Sequence, residues 1–146
     1  MGASLSAETR LAPEDAEREL ARLRKSNPEL IIQLVSMKKP PSAKAVSMIG
    51  EQTLRAKETG ALLADRPEVD LLLRLAGTSQ ISEGLKKSGY RSGGKIMLVA
   101  AGKEKDIERF RRVLSKHNAY SLREEGEMDN ESQDVVEIAA LLSTRT

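Results

Sequence analysis

The chain of 146 residues carries 24 basic and 22 acidic side chains, for a formal net charge of +2, and is 39% hydrophobic; that is material for one modest core and excludes a polycation as a whole. It has no cysteine and one histidine, His117, which excludes disulfides, thiolate metal sites, thiol nucleophiles and multi-histidine centres, and removes any need for an oxidising compartment. The composition therefore predicts a single cytoplasmic domain with neither metal nor cofactor.

The first helix is predicted over Pro13 to Ser26, with Pro13 at a first helical position, Glu14 and Asp15 at the positive end of the dipole, and Arg22, Arg24 and Lys25 near the negative end. Its apolar side, Ala16, Leu20 and Leu23, is narrow, so a surface position is expected. "LIIQLVS", Leu30 to Ser36, is short and apolar and reads as a buried strand, broken by "MKKPPS". Ser42 can cap a second helix that carries Val46, Ile49 and Thr53 at helical spacing and stops at Gly60. Gly50 inside it marks either a close approach of another element or an undemanding surface position.

The run Val69 to Ala76 reads as a second strand, with Val69, Leu71, Leu73 and Leu75 on one side and Asp70, Leu72, Arg74 and Ala76 on the other, which takes Arg74 off the main core face. A helix over Thr78 to Lys87, capped by Thr78 and ended by Gly89, follows. "RSGGK" turns the chain into a third strand, "IMLVAA". Glu104 to Lys116 is an amphipathic helix with Ile107, Phe110, Val113 and Leu114 on one side; "AYSL" is a candidate edge strand; "SQDVVEIAALLS" is the last helix. Helix and strand alternate without repeats, so a helix-covered sheet is expected.

Few motifs carry chemistry. Gly77, Thr78 and Ser79, taken as a loop between strand and helix, form a candidate anion-binding site at a helix N-terminus, although the spacing of a Walker or dinucleotide-binding loop is missing. The weightier reading makes Thr78 a simple N-cap. His117 at a helix end reads as a C-terminal cap, because nothing in the sequence places a nucleophile and an orienting carboxylate beside it. Glu124, Glu125, Glu127, Asp129, Glu131 and Asp134 lack an EF-hand's alternation and central glycine, and read as a solvated loop feeding negative charge to a helix start. Two Tyr, one Phe and no Trp exclude the base-stacking platforms of RRM and OB folds. Basic residues in the central third, Arg55, Lys57, Arg74, Lys86, Lys87, Arg91 and Lys95, could follow a phosphate backbone if they share a face.

No run approaches the roughly 18 apolar residues of a membrane span, and the N-terminus has no signal-peptide core, so no membrane partner is expected. "MGASLS" matches the short N-myristoylation pattern at Gly2 and Ser6, a pattern that also arises by chance. The last helix is the most informative element. Val135, Ile138, Ala139 and Leu142 follow the helical stripe while Val136, Ala140 and Leu141 add apolar surface beside it, which makes the helix either core or a docking face.

"LLLRLAGTSQISEGLKKSGY", together with "IIQLVS", "KAVSMIGEQTLRAKETG" and "VVEIAALLSTRT", resembles the TPRKB-like family, the small PRPK-binding regulatory subunit of the KEOPS complex. The similarity covers roughly residues 30–146 and rests on the order of elements. It implies an α/β (α+β) domain with a small, mainly antiparallel or mixed sheet of about four strands, whereas pattern alone suggests parallel pairing.

The resemblance further implies a non-catalytic subunit that binds and stimulates a PRPK-type kinase/ATPase and assists tRNA recruitment for threonylcarbamoyladenosine modification. The kinase would face Val135, Val136, Ile138, Ala139, Leu141 and Leu142. The tRNA would be met by Arg74, Lys86, Lys87 and Arg91. Two departures stand out: Ser79 occupies a position where the family commonly has a basic residue, which argues against a phosphate role for the loop, and residues 1–12 show no clear strand before the first helix, so that strand is either very short or missing and the stretch disordered. The alternatives are a free-standing RNA-binding domain and a small phosphate-binding enzyme using Thr78 and Ser79.

Overall fold

A computed structural model describes residues 2–90, 95–124 and 126–143. In chain order the elements are β1 (Gly2–Thr9), α1 (Pro13–Ser26), β2 (Ile31–Ser36), α2 (Ala43–Thr59), α3 (Pro67–Ala76), α4 (Ile81–Ser88), β3 (Ile96–Lys103), α5 (Glu104–Ser115), β4 (Tyr120–Leu122) and α6 (Asn130–Leu142). The strands form one sheet in the order β2-β3-β1-β4, with every neighbouring pair antiparallel. β1 and β2 therefore run parallel with β3 between them, and β3 and β4 run parallel with β1 between them. Two interleaved strand-helix-strand units result, the split βαβ arrangement, with α1 and α5 as the crossover helices. The antiparallel expectation holds, and the parallel sheet suggested by alternation alone does not.

Alternation along the strands sorts the core into two halves. Leu5, Ala7, Ile32, Leu34, Leu98 and Ala100 point to one face, where Leu20 and Leu23 of α1 and Ile107, Phe110 and Leu114 of α5 cover them. Ile31, Val35, Met97, Val99 and Ala101 point to the other, under α2, α3 and α6. The crossover helix α1 is thus a full packing partner despite its narrow stripe. β2 lies at the end of the sheet, and its outer edge is partly closed by a bridge between Val35 and Gly89.

Two elements differ from expectation. β1 exists, lies inside the sheet, and is built largely from small residues. They allow α2 to approach closely: a Cβ at Gly50 would fall 2.8 Å from Ser4 Cβ, and Ser4 Oγ donates to the Ser47 carbonyl at 2.7 Å. Gly50 is therefore a close-packing position.

The run read as a strand over Val69 to Ala76 is the helix α3, started by Pro67 at its first turn and closed by Gly77 in the left-handed region at φ 73°. Its apolar residues face the sheet, α4 and α6 at once, so nearly every side is buried and the helical period is hidden. The remaining elements match to within a few residues. Among the described residues no helix is long and apolar enough to cross a membrane.

Candidate functional site

α6 begins at Asp129, whose carboxylate accepts from the Ser132 backbone N–H at 2.7 Å. Ser132, through its hydroxyl and its backbone N–H, holds the Asp129 carboxyl below its usual range. The acidic stretch thus supplies the cap of this helix, and no cluster of carboxylates with metal-holding geometry occurs among the described residues.

The wide apolar arc of α6 divides into two flanks. Val136, Ala139 and Leu142 are buried against the domain. Polar clamps hold the same side: Ser42 N–H donates to Ser132 Oγ at 3.0 Å and Gln52 Nε2 to the Val136 carbonyl at 3.1 Å. The outer flank carries Val135, half-buried, then Ile138 at 47% and Leu141 at 53% exposure. Of the six residues expected to meet a kinase, Val136, Ala139 and Leu142 are core, and only Val135, Ile138 and Leu141 remain available.

Arg74 is a further correction. The helical geometry of α3 turns it inward, to 1% exposure, where Nε donates to Asp70 Oδ1 at 2.7 Å and Nη2 to Oδ2 at 3.2 Å. Asp70 also accepts from Thr53 Oγ1 at 2.7 Å and from Leu63 N–H at 2.9 Å. The remaining Arg74 donors reach the Ala139 carbonyl at 3.1 Å and Ser143 Oγ at 2.8 Å. α6 has no basic residue in its last turn, and Arg74 supplies the missing cation from a neighbouring helix. It is a latch between α3 and α6 and is removed from any tRNA surface.

The anion loop also dissolves on inspection of its amides. Gly77 N–H donates to the Leu73 carbonyl at 2.8 Å and Thr78 N–H to the same oxygen at 3.2 Å, closing α3. These donors are consumed, and the local dipole is the negative end of a helix, which repels anions. Thr78 Oγ1 accepts from Gln80 N–H at 3.2 Å, while the cap position of α4 is Gln80. Thr78 is therefore no N-cap, and Ser79 is a solvated loop residue.

Lys86 and Lys87 sit exposed in the last turn of α4. They line an open cleft of about 770 Å³ together with Lys38 and Lys39 of the β2–α2 connection. Met37, Leu75, Val135 and Ile138 form its apolar surface. Lys38 and Lys39 were not singled out from the sequence, where "MKKPPS" signals only a break; folding brings them to α4. Lys95 lines an adjoining hollow with Lys38 and Arg123, and Arg55 lines another with Gly2 and Lys103. Arg91, and most of the "RSGGK" turn, lie outside the described residues. His117 is exposed, with its N–H on the Leu114 carbonyl at the end of α5.

No protein-family model matches the chain, and a search of curated proteins finds no match.

Proposed function

We propose that the chain is a non-catalytic interaction subunit, working in the cytoplasm, that docks a PRPK-type kinase/ATPase through the outer flank of α6 and assists tRNA recruitment with its lysines, as the TPRKB-like resemblance implies. The observation that carries this reading is the division of α6. One flank and three polar clamps bind the helix to its own domain, and the other leaves Ile138 and Leu141 in solvent. Large apolar side chains left together in solvent on a helix whose other side is held to the domain form a patch that a partner can cover. α4 adds Ile81 and Leu85, exposed at 52% and 54%.

Further support comes from β1, which supplies the strand that family members carry before the first helix and whose apparent absence counted against the resemblance. Of the residues expected to meet tRNA only Arg74 drops out; Lys86 and Lys87 are joined by Lys38 and Lys39, a group able to meet phosphates without reading bases. The phosphate-enzyme alternative loses its site, because the Gly77 and Thr78 amides are occupied.

Leu141→Glu should abolish binding to a purified PRPK-type kinase in calorimetry while leaving the thermal unfolding of the domain within about 2 °C of the parent. Full binding by this variant would remove the outer flank of α6 from the interface. Reversing Lys86 and Lys87 to glutamate should weaken tRNA binding at least tenfold and reduce its salt dependence; unchanged affinity would reject the tRNA role of these two residues.

A further inference from the structure

The cleft beside α6 shares Val135 and Ile138 with the docking flank but adds a charge that an apolar flank does not need. Its volume of about 770 Å³ falls within the range of about 300–1,000 Å³ typical of small-ligand sites. Among the described residues four lysines and no carboxylate line it, in a chain whose basic and acidic residues are nearly equal at 24 and 22. Lys39 is paired with Glu131 at 3.2 Å on the open surface. The side chains of Lys38, Lys86 and Lys87 make neither ion pair nor hydrogen bond among the described residues. Gathering three unneutralised ammonium groups around one hollow opposes folding through repulsion, and an anion relieves it.

Ser88 supplies an independent observation. It is fully buried, it lines the same cleft, and its Oγ has no hydrogen-bond partner among the described residues. Buried hydroxyls are normally paired, so this one is a donor and acceptor lacking its complement at the wall of a charged hollow. The floor adds the third element: Met37, Leu75, Val135 and Ile138 are aliphatic or thioether, and the described lining has no aromatic ring on which a base could stack.

We propose that this cleft binds a small amphiphilic anion, a carboxylate or phosphate monoester carried on an apolar chain, with its head among the Lys38, Lys86 and Lys87 ammonium groups and its body over Met37, Leu75, Val135 and Ile138. The head is selected by charge rather than shape, because lysines act as point charges on flexible stems and no arginine is among the described residues that line the cleft. The site shares Lys38, Lys86 and Lys87 with the proposed tRNA role and Val135 and Ile138 with the outer flank of α6, so it is tested with small probes and with neither partner present.

The test is a titration of the ¹⁵N-labelled full chain, read by amide chemical shifts, with octanoate and octyl phosphate as probes and with acetate, inorganic phosphate and octanol as controls. At least one anionic probe should saturably shift the amides of Ala76, Gly77, Ser88 and Ile138 and bind at least tenfold more tightly than every control. Which of the two is tighter identifies the head as carboxylate or phosphate. The double variant Lys86→Ala, Lys87→Ala should weaken binding at least tenfold with the remaining spectrum unchanged, and Ile138→Ser should weaken the probes without affecting the weak binding of phosphate. The proposal is overturned if neither probe saturates, if octanol binds as well as octanoate, if inorganic phosphate binds as well as octyl phosphate, or if the lysine variant binds normally. Saturation of the same amides by an acidic amphipathic peptide, with neither octyl compound binding, would likewise overturn it in favour of a protein groove.

Discussion

The two faces of the sheet solve the same packing problem in different ways. Under α1 and α5 an apolar cluster runs from Leu5 and Leu98 out to Phe110 and Leu114, with the Tyr120 hydroxyl bonded to Glu19 at its rim. Under α2, α3 and α6 the packing includes a buried ion pair, a buried threonine, and a glycine set against a serine. That second face also bears the available flank of α6 and the lysine-lined cleft. A greasy interface would hold α6 as tightly, but Arg74 and the other clamps fix its rotation. Fixed rotation is what keeps Ile138 and Leu141 outward, since a turn of the helix by one residue would exchange a core side chain for an exposed one.

The contrast can be broken most severely at Arg74. Arg74→Ala leaves Asp70 as an uncompensated buried charge and strips the Ala139 carbonyl and the Ser143 hydroxyl of their donor, and should cost about 3–5 kcal/mol in urea denaturation. A loss below about 1 kcal/mol would mean that the second face is held by its apolar contacts alone. Next come the two flanks of α6, one residue apart. Leu142→Ala, at 4% exposure, should cost about 2–5 kcal/mol, whereas Leu141→Ala, at 53%, should change stability by no more than about 0.5 kcal/mol. Equal losses from the two would place both leucines in the core and withdraw the docking face.

A smaller effect is expected at Gly50, where two terms oppose. Alanine is the better helix former by about 1 kcal/mol, yet its Cβ would lie 2.8 Å from both Cβ and Oγ of Ser4. Ser4 is a short side chain on an inner strand and its hydroxyl is bonded to Ser47, so it has little room to yield and overpacking should prevail. Gly50→Ala is expected to destabilise by about 1–2 kcal/mol. Combining it with Ser4→Gly should recover most of the loss, and no recovery would place the strain elsewhere.

Which parts of this arrangement are legible in the sequence follows from what each residue must satisfy. α1, α2 and α5 announce themselves because Pro13, Ser42 and Gly60 are local punctuation and their outer sides are wet, leaving a clean stripe. α3 hides because it is covered on several sides; "VDLLLRLA" alternates as well for a strand as for a helix. The signals that distinguish it were its ends, Pro67 with Glu68 and Asp70 behind it and Gly77 beyond, and the i, i+4 spacing of Asp70 and Arg74. β1 hides for the opposite reason. Its small residues carry little strand signal, and the reason for Ser4, its fit against Gly50 and its bond to Ser47, is visible only once α2 is in place. The cleft was half legible: Lys86 and Lys87 mark an amphipathic helix end, while Lys38 and Lys39 join them only through the packing of β2 beside α4.

The rim of the first face provides the weakest and most specific check. Glu19 on α1 pairs with Arg22 and accepts from the Tyr120 hydroxyl at 2.7 Å. The Arg22 hydrogen bond is the largest influence on its carboxyl; desolvation opposes it, Tyr120 adds to it, and the net result lies below the ordinary value of 4.5. A carboxylate whose affinity for protons is lower in the folded state contributes stability above its unfolded pKa, and that contribution disappears as pH falls through the folded value. Glu19→Gln should therefore cost up to about 1 kcal/mol at pH 7, given that Arg22 is half in water. The difference from the parent should shrink below about pH 4.5 and vanish in stronger acid, as read from urea midpoints across pH 2.5 to 7. A difference independent of pH would assign the effect of Glu19 to its hydrogen-bond geometry with Tyr120, and would leave the first face with no charge-dependent term at this rim to set against the ion pair of the second.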